Sequence, residues 1–200
     1  MILMSFIPID AKKNIRDLIN RYELNIITVS ERKSKRGDFR VYKNGFKKIT
    51  LNQDSNKFRF LITLLHEIAH QLVFQTFGNS IKPHGKEWKK KFKEISKPFL
   101  LESIFPIPIL DTYKMYLNNP KSSTDLDKEL SVSLSKFDTL NDYFFIEKLE
   151  MGQLFLYRKK EIFMKISKKR KRFVCKKISN GKLYLFQPNT LISDYKNEKR

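Results

Sequence analysis

LLHEIAHQLVFQTFGNSIKPHGKEW, running from Leu64 to Trp88, holds every histidine of a 200-residue chain: His66, His70 and His84. The first two flank a glutamate in the order H-E-x-x-H. On an ideal helix each residue advances by about 100°, so His66 and His70 stand about 40° apart, one turn on. Glu67 lies beside that face. The main apolar arc, Leu61, Leu64, Leu65, Ile68 and Leu72, points about 200° away from His66. The histidines therefore turn from the arc that anchors the helix, towards a cleft or whatever covers it. Two satisfied core histidines are the plainer alternative, because Ile62, Val73 and Phe77 lean towards the histidine side. Chance placement of three His and 11 Glu yields this motif in roughly one such chain in six hundred, which favours a metal site.

Two imidazoles are too few. A catalytic zinc takes three protein ligands and keeps one open position. His84 follows a Gly-containing turn and opens the next helix, so a helix–turn–helix returns it over the first. Glu87, one turn later, is the rival third ligand. Val73 stands where the metzincin pattern needs glycine. With His66, His70 and His84 on zinc, Glu67 is placed to act as general base on a water whose pKa the metal lowers. That chemistry fits hydrolysis of a peptide bond.

Working outward, Asp10 to Tyr22 reads as a helix, with Ile15, Leu18, Ile19 and Tyr22 on one face and Asp10 as cap. Leu24 to Arg32 reads as a strand, and KSKRG breaks it. Two further strands flank Asn44-Gly45, a hairpin signal. The expectation is an antiparallel set of about three strands. From Ser55 to Phe77 the period is helical, and Gly78 supplies a C-cap. Trp88, Phe92 and Ile95 mark a second helix, which Pro98 ends. Pro106 and Pro108 punctuate an irregular link. Helices are expected around Asp111 to Leu117 and Thr124 to Phe137, the latter striped by Leu126, Leu130, Leu134 and Phe137, with Thr124 and Asp127 resembling a capping box. After Asp142 come five short strands, with a basic turn from Ser167 to Arg172 and a solvated tail, SDYKNEKR. The fold class is α+β, with a domain over 1–140 and a small antiparallel β unit over 141–200.

Net charge is +20, distributed over successive fifties as +7, +5, −4 and +12. The C-terminal excess suits a polyanionic partner such as DNA. A generally Lys-rich proteome is the other reading of the total. Lys168, Lys169, Arg170, Lys171 and Arg172 are the candidate phosphate contacts, with interleaved aromatics for stacking. A solvated hairpin with its aromatics in the core is the alternative. No apolar run has membrane-spanning length, no signal peptide is read, and one cysteine, Cys175, forbids an intramolecular disulfide. A cytoplasmic location is expected.

TLLHEIAHQLVFQTFG followed by KPHGKEWKKKF resembles the SprT-like zinc metallopeptidases, relatives of the Spartan DNA–protein crosslink protease. The likeness runs from the leading helix to about Pro98. It implies a zincin-like fold, one zinc held by His66, His70 and His84, Glu67 as general base, and Trp88 packing the second helix. Many relatives end in a zinc ribbon with two C-x-x-C knuckles. Here the strand layout persists with Cys175 alone, and Ile178 stands at its partner position. The unit reads as a metal-free remnant, and Cys175 as a small buried apolar residue.

Three functions remain open from the sequence. The leading one is a zinc-dependent endopeptidase acting on proteins near or bound to DNA. The second is a nucleic-acid-binding adaptor whose metal is structural. The third is an unrelated hydrolase of small amides, which has no use for a basic tail.

Overall fold

The structure is a computed structural model of the whole chain, and it describes residues 2–32, 34–54, 56–138, 143–158 and 160–195. The helix start expected at Ser55, the boundary at 140/141 and the tail beyond Tyr195 lie outside the described residues. The chain forms two compact units, Met1–Thr124 with Ser133–Asp138, and Asp125–Val132 with Thr139–Arg200.

In the first unit a 3-10 turn, Ile9–Ala11, leads into α1, Lys12–Tyr22. Asp10 sits in that turn and makes no capping bond to the helix. Ile15 is fully buried, and Leu18, Ile19 and Tyr22 are half-buried beside it. Three strands follow: β1, Ile26–Val29, β2, Gly37–Val41, and β3, Lys47–Asn52. The expected hairpin forms. Gly45 takes a positive φ of 79°, and Asn44 Oδ1 accepts from the Phe46 N–H.

The strand order is β1-β3-β2, and β1 pairs with β3 in parallel, which corrects the all-antiparallel expectation. The cause is the segment between β1 and β2, which passes the C-terminal end of β3 instead of making a hairpin. It is tied down there. The Asn52 Nδ2 donates to the carbonyls of Arg32 (3.1 Å) and Lys35 (2.8 Å), and the Arg32 Nε donates back to Asn52 Oδ1 at 2.8 Å.

The central helix α2, Lys57–Phe77, is capped by Asn56, whose side chain accepts from the Arg59 N–H, and it stops at Gly78. Leu61, Leu64, Leu65, Ile68 and Leu72 are buried, and so are Ile62, Ala69 and Val73. Each such leucine, isoleucine or valine contributes about 1.5–3 kcal/mol when buried. That is enough to hold the costly Glu67 in the interior. The second helix, α3, spans Lys86–Ser96 and buries Trp88, Phe92 and Ile95. A 3-10 turn containing Pro98 follows it. Pro106 and Pro108 open α4, Ile107–Tyr116, rather than interrupting a link. Proline is tolerated in a first helical turn because those N–H groups have no partner within the helix.

The helix expected over 124–137 divides into a 3-10 turn, Thr124–Leu126, and α5, Lys128–Ser135. Asp127 Oδ1 accepts from the Leu130 N–H, so Asp127 rather than Thr124 acts at this start. Leu130 and Leu134 are buried, while Leu126 and Phe137 are largely exposed. Just after α5, Asp138 takes both carboxylate oxygens to Arg59 Nη2 at 2.9 and 2.7 Å. Arg59 is only 2% exposed.

The second unit carries β4, Tyr143–Phe145, β5, Leu154–Tyr157, β6, Glu161–Lys169, β7, Arg172–Lys177, β8, Leu183–Phe186, and β9, Leu191–Asp194. They form one antiparallel sheet in the order β4-β9-β5-β6-β7-β8. Its core gathers Ile146, Leu149, Phe155, Phe163, Phe173, Cys175, Phe186 and Ile192. Strand β9 lies between β4 and β5, within a stretch whose end reads as tail in the sequence. Lys165 is buried, its Nζ donating to the carbonyls of Ile146 (2.9 Å) and Leu149 and lying 3.9 Å from the Phe173 ring centroid. This lysine pins the 3-10 turn Ile146–Lys148 to the sheet.

Candidate metal centre

His66 and His70 project from one side of α2, and the turn before α3 swings His84 over them. The three Nε2 atoms are 3.1 Å (His66–His70), 2.9 Å (His70–His84) and 3.0 Å (His84–His66) apart. Three such nitrogens cannot satisfy one another, since each ring carries at most one hydrogen to that point while neutral. Ligands of a tetrahedral ion at about 2.0–2.1 Å stand about 3.3 Å apart. The cluster is therefore a close fit to a shared divalent cation. Among the described residues these three are the one group of histidine, cysteine or carboxylate side chains gathered closely enough to hold a metal. Glu87, the rival third ligand, is not part of it, and its carboxylate is 4.0 Å from Lys86 Nζ.

His84 adopts φ 60°, the left-handed region. Non-glycine residues enter it at a cost and concentrate at functional sites. This conformation aims the ring back at α2, and no sequence signal marks it. Trp88 forms the floor. Its ring centroid lies 4.6, 5.2 and 4.7 Å from those of His66, His70 and His84, and Phe92 stacks behind it at 4.9 Å. Helix α3 thus flanks the histidine face of α2, and all three rings stay half-buried.

Burial lowers the pKa of His66 to about 2 and of His70 to about 4, with the neighbouring rings adding to the effect, and burial lowers His84 also. All three are neutral at pH 7, the state that ligates metal. Glu67, 7% exposed and next to His66 on the helix, meets β2 at Gly37. Burial first, and the charge of Asp38 second, push its carboxyl up to about 8, while the Phe39 N–H, Arg32 and Lys35 pull the other way. Partial burial opposes ionisation of Asp38, but Lys35 at 2.9 Å and Arg40 at 2.6 Å outweigh it and hold Asp38 below the usual range.

These shifts give opposite pH dependences. The raised Glu67 contributes stability that is fully present below pH 4.5 and lost as pH rises through about 8. The depressed histidines contribute stability present above 6.5 and lost as pH falls towards their folded values. The comparison with Glu67→Gln isolates the carboxyl, because the histidine contributions are common to both proteins. Metal-free protein is expected to lose about 1 kcal/mol between pH 6.5 and 8 relative to Glu67→Gln, by urea unfolding at both pH values. Identical pH dependence in the two proteins contradicts the burial assigned to this carboxyl.

The five basic candidates occupy a different place from the one expected. Strand β6 continues to Lys169, paired with Arg172, so only Arg170 and Lys171 form the turn, with Arg170 at φ 55°. Lys168, Lys169, Arg170, Lys171 and Arg172 are all exposed at this hairpin tip. The phenylalanines interleaved with them are core residues, so stacking is not their role. Cys175 is fully buried among them, and burial pushes its thiol up to about 12.

A buried helix with two imidazoles one turn apart, a third from the turn before the next helix and a glutamate beside the first gives this α+β domain a candidate metal centre. Residues 13–109, within the first unit, match the SprT-like family. Protein SprT of Klebsiella pneumoniae (strain 342) is 29% identical over 115 residues, 57% of this chain and 63% of the relative. Protein SprT of Glaesserella parasuis serovar 5 (strain SH0165) is 47% identical over 47 residues, 24% of this chain and 29% of the relative. Protein SprT of Cronobacter sakazakii (strain ATCC BAA-894) is 36% identical over 59 residues, 30% of each. The chain spans less than two thirds of the length of these relatives. No solved structure matches it. No helix among the described residues is long and apolar enough to cross a membrane.

Proposed function

We propose that this chain is a zinc-dependent endopeptidase of zincin type that cleaves proteins near or bound to DNA. The observation that carries the reading is the convergence of His66, His70 and His84 Nε2 within 3.1 Å of one another, with Glu67 following His66 on the same helix. The three neutral imidazoles would hold the zinc. When bound, zinc supplies Lewis acidity and lowers the pKa of water towards 7. Its charge also favours ionised Glu67, offsetting the burial that protonates the metal-free carboxyl. Glu67 takes a proton from the attacking water and returns it to the leaving amine nitrogen. The water oxygen joins the carbonyl carbon, the C–N bond breaks, and an acid and an amine result.

Strand β2 supports a protein substrate. It is an edge of the sheet. The Asn52 N–H bonds the Arg36 carbonyl and the Tyr42 N–H bonds the Phe46 carbonyl. Hydrogen-bonded pairs alternate along an antiparallel ladder. Gly37, Phe39 and Val41 therefore turn their backbone groups away from β3. The Phe39 N–H reaches Glu67, and the other groups remain for an extended chain added as a strand.

The exposed hairpin tip supplies five cations for phosphate, which supports a nucleic-acid partner. The test is cleavage of an unfolded DNA-binding protein by the zinc-loaded chain, with and without DNA. DNA is expected to speed cleavage at low salt and lose that effect as salt rises. Five phosphate contacts give a log–log salt slope of about −3.5 on single strands or −4.5 on duplex. A slope near zero, or cleavage indifferent to DNA, rejects the nucleic-acid part.

A further inference from the structure

We propose that Gly37 is a positioning residue for Glu67: its bare Cα lets β2 close onto α2 and hold the Glu67 carboxyl beside the histidine cluster. Side chains alternate along a strand, so Gly37, Phe39 and Val41 share one face. That face looks at α2, because the Phe39 ring lies 5.9 Å from that of Phe74. A Cβ on Gly37 would fall 2.7 Å from Glu67 Oε1, 2.8 Å from Glu67 Cγ and 2.9 Å from Thr63 Cγ2. Those separations are shorter than carbon side chains tolerate. The positive-φ glycines are Gly45, Gly78, Gly152 and Gly181, so Gly37 is needed for space and not for backbone freedom.

Neither neighbour can step aside cheaply. Thr63 is fixed by the bond from its Oγ1 to the Arg59 carbonyl at 2.9 Å. Glu67 is buried, and the Phe39 N–H, two residues along the same strand, holds its carboxyl. Any side chain at position 37 must therefore lift β2 away from α2, and that movement carries the Phe39 N–H off the carboxyl. The histidines pack against Trp88 of α3 rather than against β2 and keep their positions.

The catalytic consequence rests on the peptidase reading, but the contact itself can be tested without it. The experiment is a thermal-unfolding cycle on the full chain with Zn2+ present. Gly37→Ala is made alone and in a Thr63→Ser, Glu67→Ala background, where the three nearest atoms it would strike have been removed. In the native background Tm is expected to fall by at least about 3 °C. In the trimmed background Tm should stay level or rise, because alanine restricts the unfolded chain. Equal losses in the two backgrounds overturn the proposal. With a fluorescent unfolded casein as substrate, Gly37→Ala is expected to lower kcat at least about tenfold while KM and Zn2+ affinity move less than about threefold. Full activity, or loss of Zn2+ binding in parallel with activity, also overturns it. A native chain that binds Zn2+ and cleaves nothing rejects the peptidase reading instead, and the thermal cycle still decides the contact.

Discussion

Glu67→Gln is expected to lower peptide-bond cleavage by about 10²–10⁴-fold, the range that general-base catalysis contributes, while one zinc per chain is retained. Glutamine keeps the size of the side chain, so the close fit against Gly37 and Thr63 survives. It removes the ability to take a proton. The neutral amide also suits a buried site that already disfavours negative charge, so the variant should fold at least as well as the native chain. The loss should therefore fall on kcat with KM little changed, since the group acts on the reacting water and not on the bound chain. Cleavage assays beside metal analysis decide it. Equal cleavage by the two proteins removes Glu67 as the base, and zinc binding with no cleavage by either favours a structural metal site on a nucleic-acid adaptor.

Asp138→Ala is expected to destabilise the first unit by about 3 kcal/mol, at the low end of what breaking a buried ion pair costs. Arg59 would lose both bonds from Nη2, and Asn56 Nδ2 would lose its 2.7 Å bond to Asp138 Oδ1. Asp54 remains 3.9 Å from Arg59 Nε and softens the loss. The damage would reach the metal centre indirectly, because Asn56 caps α2 and Arg59 is in its first turn. Urea unfolding measures it. A change below about 1 kcal/mol contradicts the view that this pair locks the start of α2.

The histidine cluster was legible because its information is local. Two histidines four apart on an apolar helix, and a third just past a glycine turn, announce themselves by residue type and spacing. The Asn44-Gly45 hairpin was legible for the same reason. Features that depend on distant pairing were not. Whether β1 joins β3 or β2 depends on the path of residues 30–36, and strand periodicity carries no trace of it. Strand β9 offers Ile192 and Ser193 as its buried residues, too little pattern to separate it from a tail. The Arg59–Asp138 pair joins residues 79 apart. Gly37 read as a strand breaker within KSKRG, when its place is a close approach of strand to helix. Lys165 was hidden by the basic residues around it, although burial sets it apart from them.

The most direct test of the central claim is the zinc content of the chain folded with Zn2+, measured beside His84→Ala. One zinc per native chain and a near-total loss in the variant are the result expected if the third imidazole completes the site. A native chain that retains no stoichiometric zinc, or a variant that keeps it in full, contradicts the account.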